Sequence, residues 1–345
     1  MTLPTVLVTD VIRSAHQGES HGGVHLVDLE RGSHQTVLDW NDDAIDWTGR
    51  GGDRGLRGIA LWRDKTVIAA SNEVFLFNAD WSIEASFRCA NLSHIHEIAL
   101  VGDALTLTST RFDAIITLDL ARGVFTQGAH LSPGLAEVST PEGLRRRPTL
   151  IARPFDPSEP PALAPADRLH INSVSVHEDR IHLAGVRLNT LFAAQHPGAL
   201  EGPLTPIAPL PLWTHNAQRH AGGVIYNATE QDETVIASLT GEPIRRFKMP
   251  TTAPADLTHT DLPGDHARAG FARGLIHAEG LVIVGVSPTT VAVFDEATAE
   301  HRASVCITRD IRNAAHGLVL WPENRPSEHA RDRHEIHETR CRASE

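Results

Sequence analysis

Arg57-Gly58-Ile59-Ala60-Leu61-Trp62, then Arg63-Asp64-Lys65, then Thr66-Val67-Ile68-Ala69-Ala70, then Ser71-Asn72 and Glu73-Val74-Phe75-Leu76-Phe77, is the stretch that decides the fold. Short apolar runs rich in β-branched and aromatic residues alternate with turn-forming polar residues, which is the signature of strands joined by tight turns. A further run, Ile83-Glu84-Ala85-Ser86-Phe87, supplies a fourth strand. Four antiparallel strands in roughly 35 residues make one blade of a propeller.

The same grammar recurs along the chain. His96-Glu97-Ile98-Ala99-Leu100, Asn172-Ser173-Val174-Ser175-Val176, Gly222-Gly223-Val224-Ile225-Tyr226, Arg273-Gly274-Leu275-Ile276 and His316-Gly317-Leu318-Val319-Leu320 each open a unit. All but one of the spacings fall near the blade period of about 40–50 residues. The long spacing, after His96, holds a Pro-rich insertion at about residues 132–167 that reads as a decorated loop. The last unit has an inner strand and no successors, and the N-terminal runs around Val6, Val24 and Val37 offer the missing strands. Sharing one blade between the two ends pairs otherwise open edges. The expectation is an all-β, six-bladed β-propeller over residues 1–322, closed by strands from both termini, with a polar, flexible tail at residues 323–345.

Over about residues 5–321 this blade grammar resembles the six-bladed propeller superfamily of gluconolactonase-like, strictosidine-synthase-like and amidating-lyase-like proteins. The resemblance implies the fold. Gluconolactonase-like enzymes hold calcium with a Glu/Asn/Asp set, where this chain offers His and Arg; amidating lyases use histidines on zinc with an arginine nearby.

The formal net charge of −12 disfavours nucleic acid or an anionic membrane as a partner. No apolar run is long enough for a spanning helix. The N-terminus lacks signal-peptide regions, and the three cysteines show no framework or zinc spacing. These features predict a cytoplasmic protein.

Histidine is abundant, 21 residues, so position in the fold must decide which ones matter. Residues at the inner-strand entries converge on the channel mouth of a propeller. There His96, His170, His220 and His316, with His94 and His215 as substitutes, make a nitrogen-donor set suited to a divalent transition metal, Fe or Zn foremost. The competing account is a wet channel of hydrogen-bonded histidines. Arg57 and Arg273 enter at the same register and suit capture of a substrate carboxylate or phosphate. Arg111 and Arg187, in loops after second strands, and Asn172 would add substrate contacts, and Glu97 would act as general base. Ion pairing is the alternative for each arginine. The loop Ser14 to Gly23 could close over the mouth as a lid, or stand as a solvated hairpin. The triplet Arg145-Arg146-Arg147 in the insertion reads as solvated. The predicted function is a metal-dependent enzyme acting on a small anionic molecule, by oxygenase or oxidoreductase, or lyase or hydrolase, chemistry. The alternative is a non-catalytic propeller that binds a ligand or protein on the same face.

Overall fold

The computed structural model describes residues 2–42, 55–140, 143–161, 164–194, 200–261, 267–322 and 337–338. Among them there are strands and two short 3-10 turns and no α-helix. The strands form six sheets that follow one another along the chain as the blades of a β-propeller.

Blade 1 comprises Leu56–Trp62, Lys65–Ala70, Glu73–Phe77 and Ile83–Phe87, within a residue or two of the sequence reading. Blade 2 runs Ile98–Val101, Ala104–Ser109, Ala114–Asp119, Val124–Thr140 and Gly143–Phe155, with Gly202–Pro203 added at its edge. Blade 3 is Ile171–His177, Arg180–Gly185, Thr190–Ala193 and Thr205–Pro209, and blade 5 is Ala272–Ala278, Leu281–Val286, Thr290–Asp295 and His301–Cys306. Blade 6 closes as expected: Asn313–Leu320 pairs with Thr5–Ile12, followed by Gly23–Asp28 and Ser33–Asp39. The two described tail residues, His337–Glu338, add a short strand to Ser33–Asp39; the rest of the tail expected to be flexible lies outside the described residues.

Two expectations need correction. The first strand of blade 4 is Thr214–His220, and Gly223–Ala228 is its second strand. The sequence Thr-His-Asn-Ala-Gln-Arg-His holds one apolar residue, so hydrophobic periodicity could not register it. Second, the insertion is largely a long hairpin, with Val124–Thr140 laddered against Gly143–Phe155. The loop Ser14 to Gly23 is anchored at its far end. Ile12 N–H donates to His21 O, Trp40 N–H donates to Gly22 O, and His21 is fully buried. Gly22, at φ 109°, lies so close to Asp10 that a Cβ would sit 2.1 Å from its carbonyl oxygen.

The chain divides into two compact units, Met1–Ser86 with Asn227–Val235 and Arg245–Glu345, and Phe87–Tyr226 with Ile236–Ile244. The first holds blades 1, 5 and 6, the second holds blades 2 and 3, and blade 4 contributes strands to both. In the first unit, Leu7, Val24, Trp40, Leu56, Ile68, Phe75 and Phe77 pack where blades 6 and 1 meet, with the Trp40 and Phe75 rings 5.0 Å apart, edge to face. In the second, Ile115, Leu131, Leu150, Ile171, Leu183 and Phe192 pack blade 2 on blade 3. Each such side chain contributes about 1.5–3 kcal/mol when fully buried. These cores hold the first strands, and therefore the candidate site, in place.

Candidate functional site

Four of the first strands share one irregularity, and it positions Arg57, Asn172, Arg273 and His316. In blades 1, 3, 5 and 6 the ladder to the second strand skips between Leu56 and Ile59, Ile171 and Ser173, Ala272 and Leu275, and opposite Val8 and Asp10. A bulge of this kind inserts a residue and re-aims its side chain. The bulged pairs are Arg57-Gly58, Asn172-Ser173, Arg273-Gly274 and His316-Gly317.

In the first unit these bulges stack against one another. Thr9, on the second strand of blade 6, accepts from Gly317 N–H at 2.8 Å and donates its hydroxyl proton to Arg57 O. Gly317 has room for no Cβ, since one would lie 2.4 Å from Arg57 O. Gly274, at φ 77°, would place a Cβ 2.6 Å from His316 O. The glycines thus let neighbouring backbones close up, and Arg273, His316 and Arg57 stand in a row on three adjacent strands. The Arg273 Nη1 lies 3.1 Å from His316 Nε2, and its guanidinium sits 4.7 Å from the centre of the Phe271 ring. A guanidinium keeps its protons, so His316 Nε2 accepts, and the lone pair expected to bind a metal is occupied by Arg273. Arg57 and His316 are buried, at 4% and 7% exposure, so any ligand meeting this row is largely desolvated.

The second unit uses the same device with other side chains. Thr108 Oγ1 accepts from both His96 N–H and Glu97 N–H, at 3.0 and 3.1 Å, as Thr9 does for Gly317. The Glu97 carboxyl receives a hydrogen bond from the Asn216 side-chain amide. Burial pushes this carboxyl up to about 8, against the opposing pull of Asn216 and the Ile98 N–H. It therefore carries its proton at neutral pH. The general-base role expected of it would draw on the minor ionised form at neutral pH, and the protonated form could donate. The His96 and His170 rings are 5.1 Å apart. His170 is oriented twice: its N–H donates to Asp113, as do those of Arg168 and Leu169, and its Nδ1 lies 2.9 Å from Asp167.

Other expected residues take different places. His220 ends its strand, with Thr214 at the entry, so it stands a strand length away from the strand entry. Its placement followed from the missed first strand of blade 4. Asn172, 2% exposed, donates to Thr214 O and straps two first strands together, which leaves little of it for substrate. Arg187 donates to Asp167 O, and its guanidinium is 3.9 Å from the Asp167 carboxylate, the ion-pair alternative. Arg111 is exposed within Thr110–Phe112, and its carbonyl accepts from Ala166 and Asp167 N–H. His94 is exposed at φ 54°, and His215 is buried with Nδ1 3.3 Å from Trp213 O. No group of three or more His, Cys, Asp or Glu among the described residues comes together as a ligand set. Sequence reasoning missed Asn216, Asp113, Asp167 and the clamping threonines. A signal existed for the last: Val8-Thr9 and Leu107-Thr108 both put a hydroxyl near the end of an apolar second strand.

No family model and no curated protein matches the chain. Among solved structures it is similar to a chain of a nidogen/laminin complex, with 11% identity, TM-score 0.55 and coverage of 91% of this chain and 97% of that one. A protein of unknown function from Bacteroides caccae superposes with TM-score 0.50 at 7% identity, covering 92% and 98%. The Pan2 WD40 domain of Neurospora crassa gives a TM-score of 0.43 at 10% identity, covering 74% and 68%. At these identities the likeness concerns the fold alone.

Proposed function

We propose that the protein binds a small anionic molecule, a carboxylate or phosphate compound, at the row of bulged first-strand residues in the first unit. The observation that carries this reading is the contact of Arg273 with His316 at 3.1 Å, with Arg57 on the next strand at the same register. Two guanidinium forks on a rigid scaffold suit bidentate capture of an anion, and low exposure strengthens each contact. Binding also offsets the cost of holding cationic groups away from water. Calorimetric titration with inorganic phosphate and with malonate tests it. Saturable binding of at least one probe is expected, weakened about tenfold or more by Arg273→Lys or Arg57→Lys, because an ammonium cannot reproduce the fork. Absence of binding to both probes, or binding indifferent to both replacements, overturns the reading.

A second reading concerns catalysis in the other unit. His96 and His170 face each other, and Asp167 holds Nδ1 of His170; carboxylate–histidine pairs of this kind support metal ions. A bound Fe or Zn would supply Lewis acidity for a metal-dependent reaction. Elemental analysis is the test: a stoichiometric metal lost in His96→Ala and His170→Ala and kept in His220→Ala supports it. A metal-free protein purified from supplemented medium removes it and leaves a non-catalytic ligand-binding propeller.

A further inference from the structure

The second unit gathers basic side chains at the far ends of two first strands, a strand length from their entries. Ile171–His177 ends on His177, and Thr214–His220 ends on Arg219 and His220. The second strand of blade 3, Arg180–Gly185, sets Arg180 opposite His177 and His182 opposite Ser175. Residues directly opposite in a ladder project to one face, as do alternate residues along a strand. His182, Ser175 and His177 therefore share a face. That face meets blade 4, because the Ser175 hydroxyl donates to Ala217 O, two residues before Arg219.

Two of these side chains hold a buried atom that lacks a hydrogen bond. His182 is 3% exposed, and its Nδ1 has no hydrogen-bond partner among the described residues. Nor has the buried Nη1 of Arg219, whose side chain is half-buried. The His177 ring stands 6.1 Å from the His182 ring, edge to face. Burial is the largest cause of the depressed His182 pKa; the Arg180 backbone opposes it, and the charges of His177, Arg219 and Arg180 add to it. No carboxylate is among those causes. Glu178 lies 3.8 Å from His177 Nε2 but is 83% exposed, and Asp179 beside it is exposed too, so both carboxylates are largely screened by water. Folded chains rarely leave buried donors unpaired, and an unmet cationic donor is the costlier kind. The partner that fits must accept from a guanidinium, and the local positive potential favours a negative one.

We propose that His177, His182 and Arg219 form a second ligand site, which takes an oxyanion: the phosphate or carboxylate group of a small molecule. Arg219 supplies the charged donor. Neutral His182 donates from Nδ1 in the tautomer that carries its proton there. Exposed Arg180 adds to the attraction. The site does not rest on the row of Arg57, Arg273 and His316, which belongs to the first unit.

Nuclear magnetic resonance of the full chain with 13C-labelled histidine tests this. The His182 signal is the one missing from His182→Phe. Without added anion it should titrate at about 4. Inorganic phosphate or acetate should raise that midpoint by about one pH unit or more, since a nearby opposite charge favours the imidazolium. A response to phosphate alone assigns a phosphate group, and a response to acetate alone a carboxylate; either supports the site. Arg219→Gln should raise the half-saturating concentration tenfold or more, and His177→Gln should raise it less. Thermal unfolding without anion checks that both variants fold. Arg273→Lys should leave the His182 response unchanged, which separates this site from the first. A His182 midpoint indifferent to both anions at about 50 mM, far above a millimolar dissociation constant, overturns the proposal. So does a response that survives Arg219→Gln, or one that Arg273→Lys abolishes.

Discussion

The bulged strand entries of the two units solve one geometric problem with different chemistry. In the first unit glycine ends each bulged pair, at 58, 274 and 317, and at 274 and 317 a neighbouring backbone closes to where a Cβ would collide. In the second Ser173 takes that place in blade 3, Glu97 stands at the strand entry of blade 2, and side chains do the joining: Ser173 and Ser175 hydroxyls donate to Ala217 O, Asn172 donates to Thr214 O, and Asn216 donates to Glu97. The difference teaches that the scaffold needs the bulge and leaves the means of holding it open. Contact by absence of a side chain frees the first unit to line its row with arginine and histidine. Contact by hydrogen bond commits the second to polar neutral groups and one protonated acid.

The comparison breaks most visibly at Gly317. Gly317→Ala should cost upwards of about 3 kcal/mol in urea unfolding, because the new methyl meets backbone oxygen and Ile59 rather than a movable side-chain end. Gly222→Ala, in a turn with nothing within 4 Å of the added carbon, should stay within about 0.5 kcal/mol. Equal effects would mean that the close approach does not hold the first unit together.

Acid separates the units next. Burial depresses His182, on the second strand of blade 3, to about 4. A histidine depressed on folding contributes stability that is present above pH 6.5 and is lost as the pH falls towards 4. The loss at pH 4 is about 2–3 kcal/mol at most. In the first unit, Asp10 is penalised by burial yet held below the usual carboxylate range by His25, by Asn313 and by the Gly23 N–H. Its contribution persists through that window and is lost only below about pH 4. Hydrogen exchange between pH 7 and 4 should therefore loosen blade 3 before blade 6. His182→Phe should abolish the difference. Simultaneous loosening in the wild type would remove the distinction.

The smallest expected effect lies in the strap of the second unit. Ser173→Ala should cost about 1 kcal/mol or less, since Ala217 O keeps the Ser175 hydroxyl as a donor. A loss as large as that of Gly317→Ala would show that both units depend on the bulge contact alike.

What the sequence by itself determined was the blade grammar. Leu56–Trp62, Leu281–Val286 and their like are apolar runs bounded by turn residues, and burial on both faces leaves that trace in the residue order. The closing blade was legible for the same reason, because Asn313–Leu320 ends as a strand in need of partners that Thr5–Ile12 supplies. Tertiary structure alone decided where polar groups meet. Thr214–His220 is held by its neighbours' hydrogen bonds and not by apolar periodicity, so it was invisible, and the displaced register carried His220 to the wrong end of its strand. The engagement of His316 Nε2 by Arg273, the proton on Glu97 and the pairing of His170 with Asp167 depend on distances of a few ångströms and on exclusion of water. Apolar burial is non-directional and sums along a strand, so it can be read from a string of residues. Hydrogen bonds and charges act through direction and proximity across distant segments, and only the folded chain sets those.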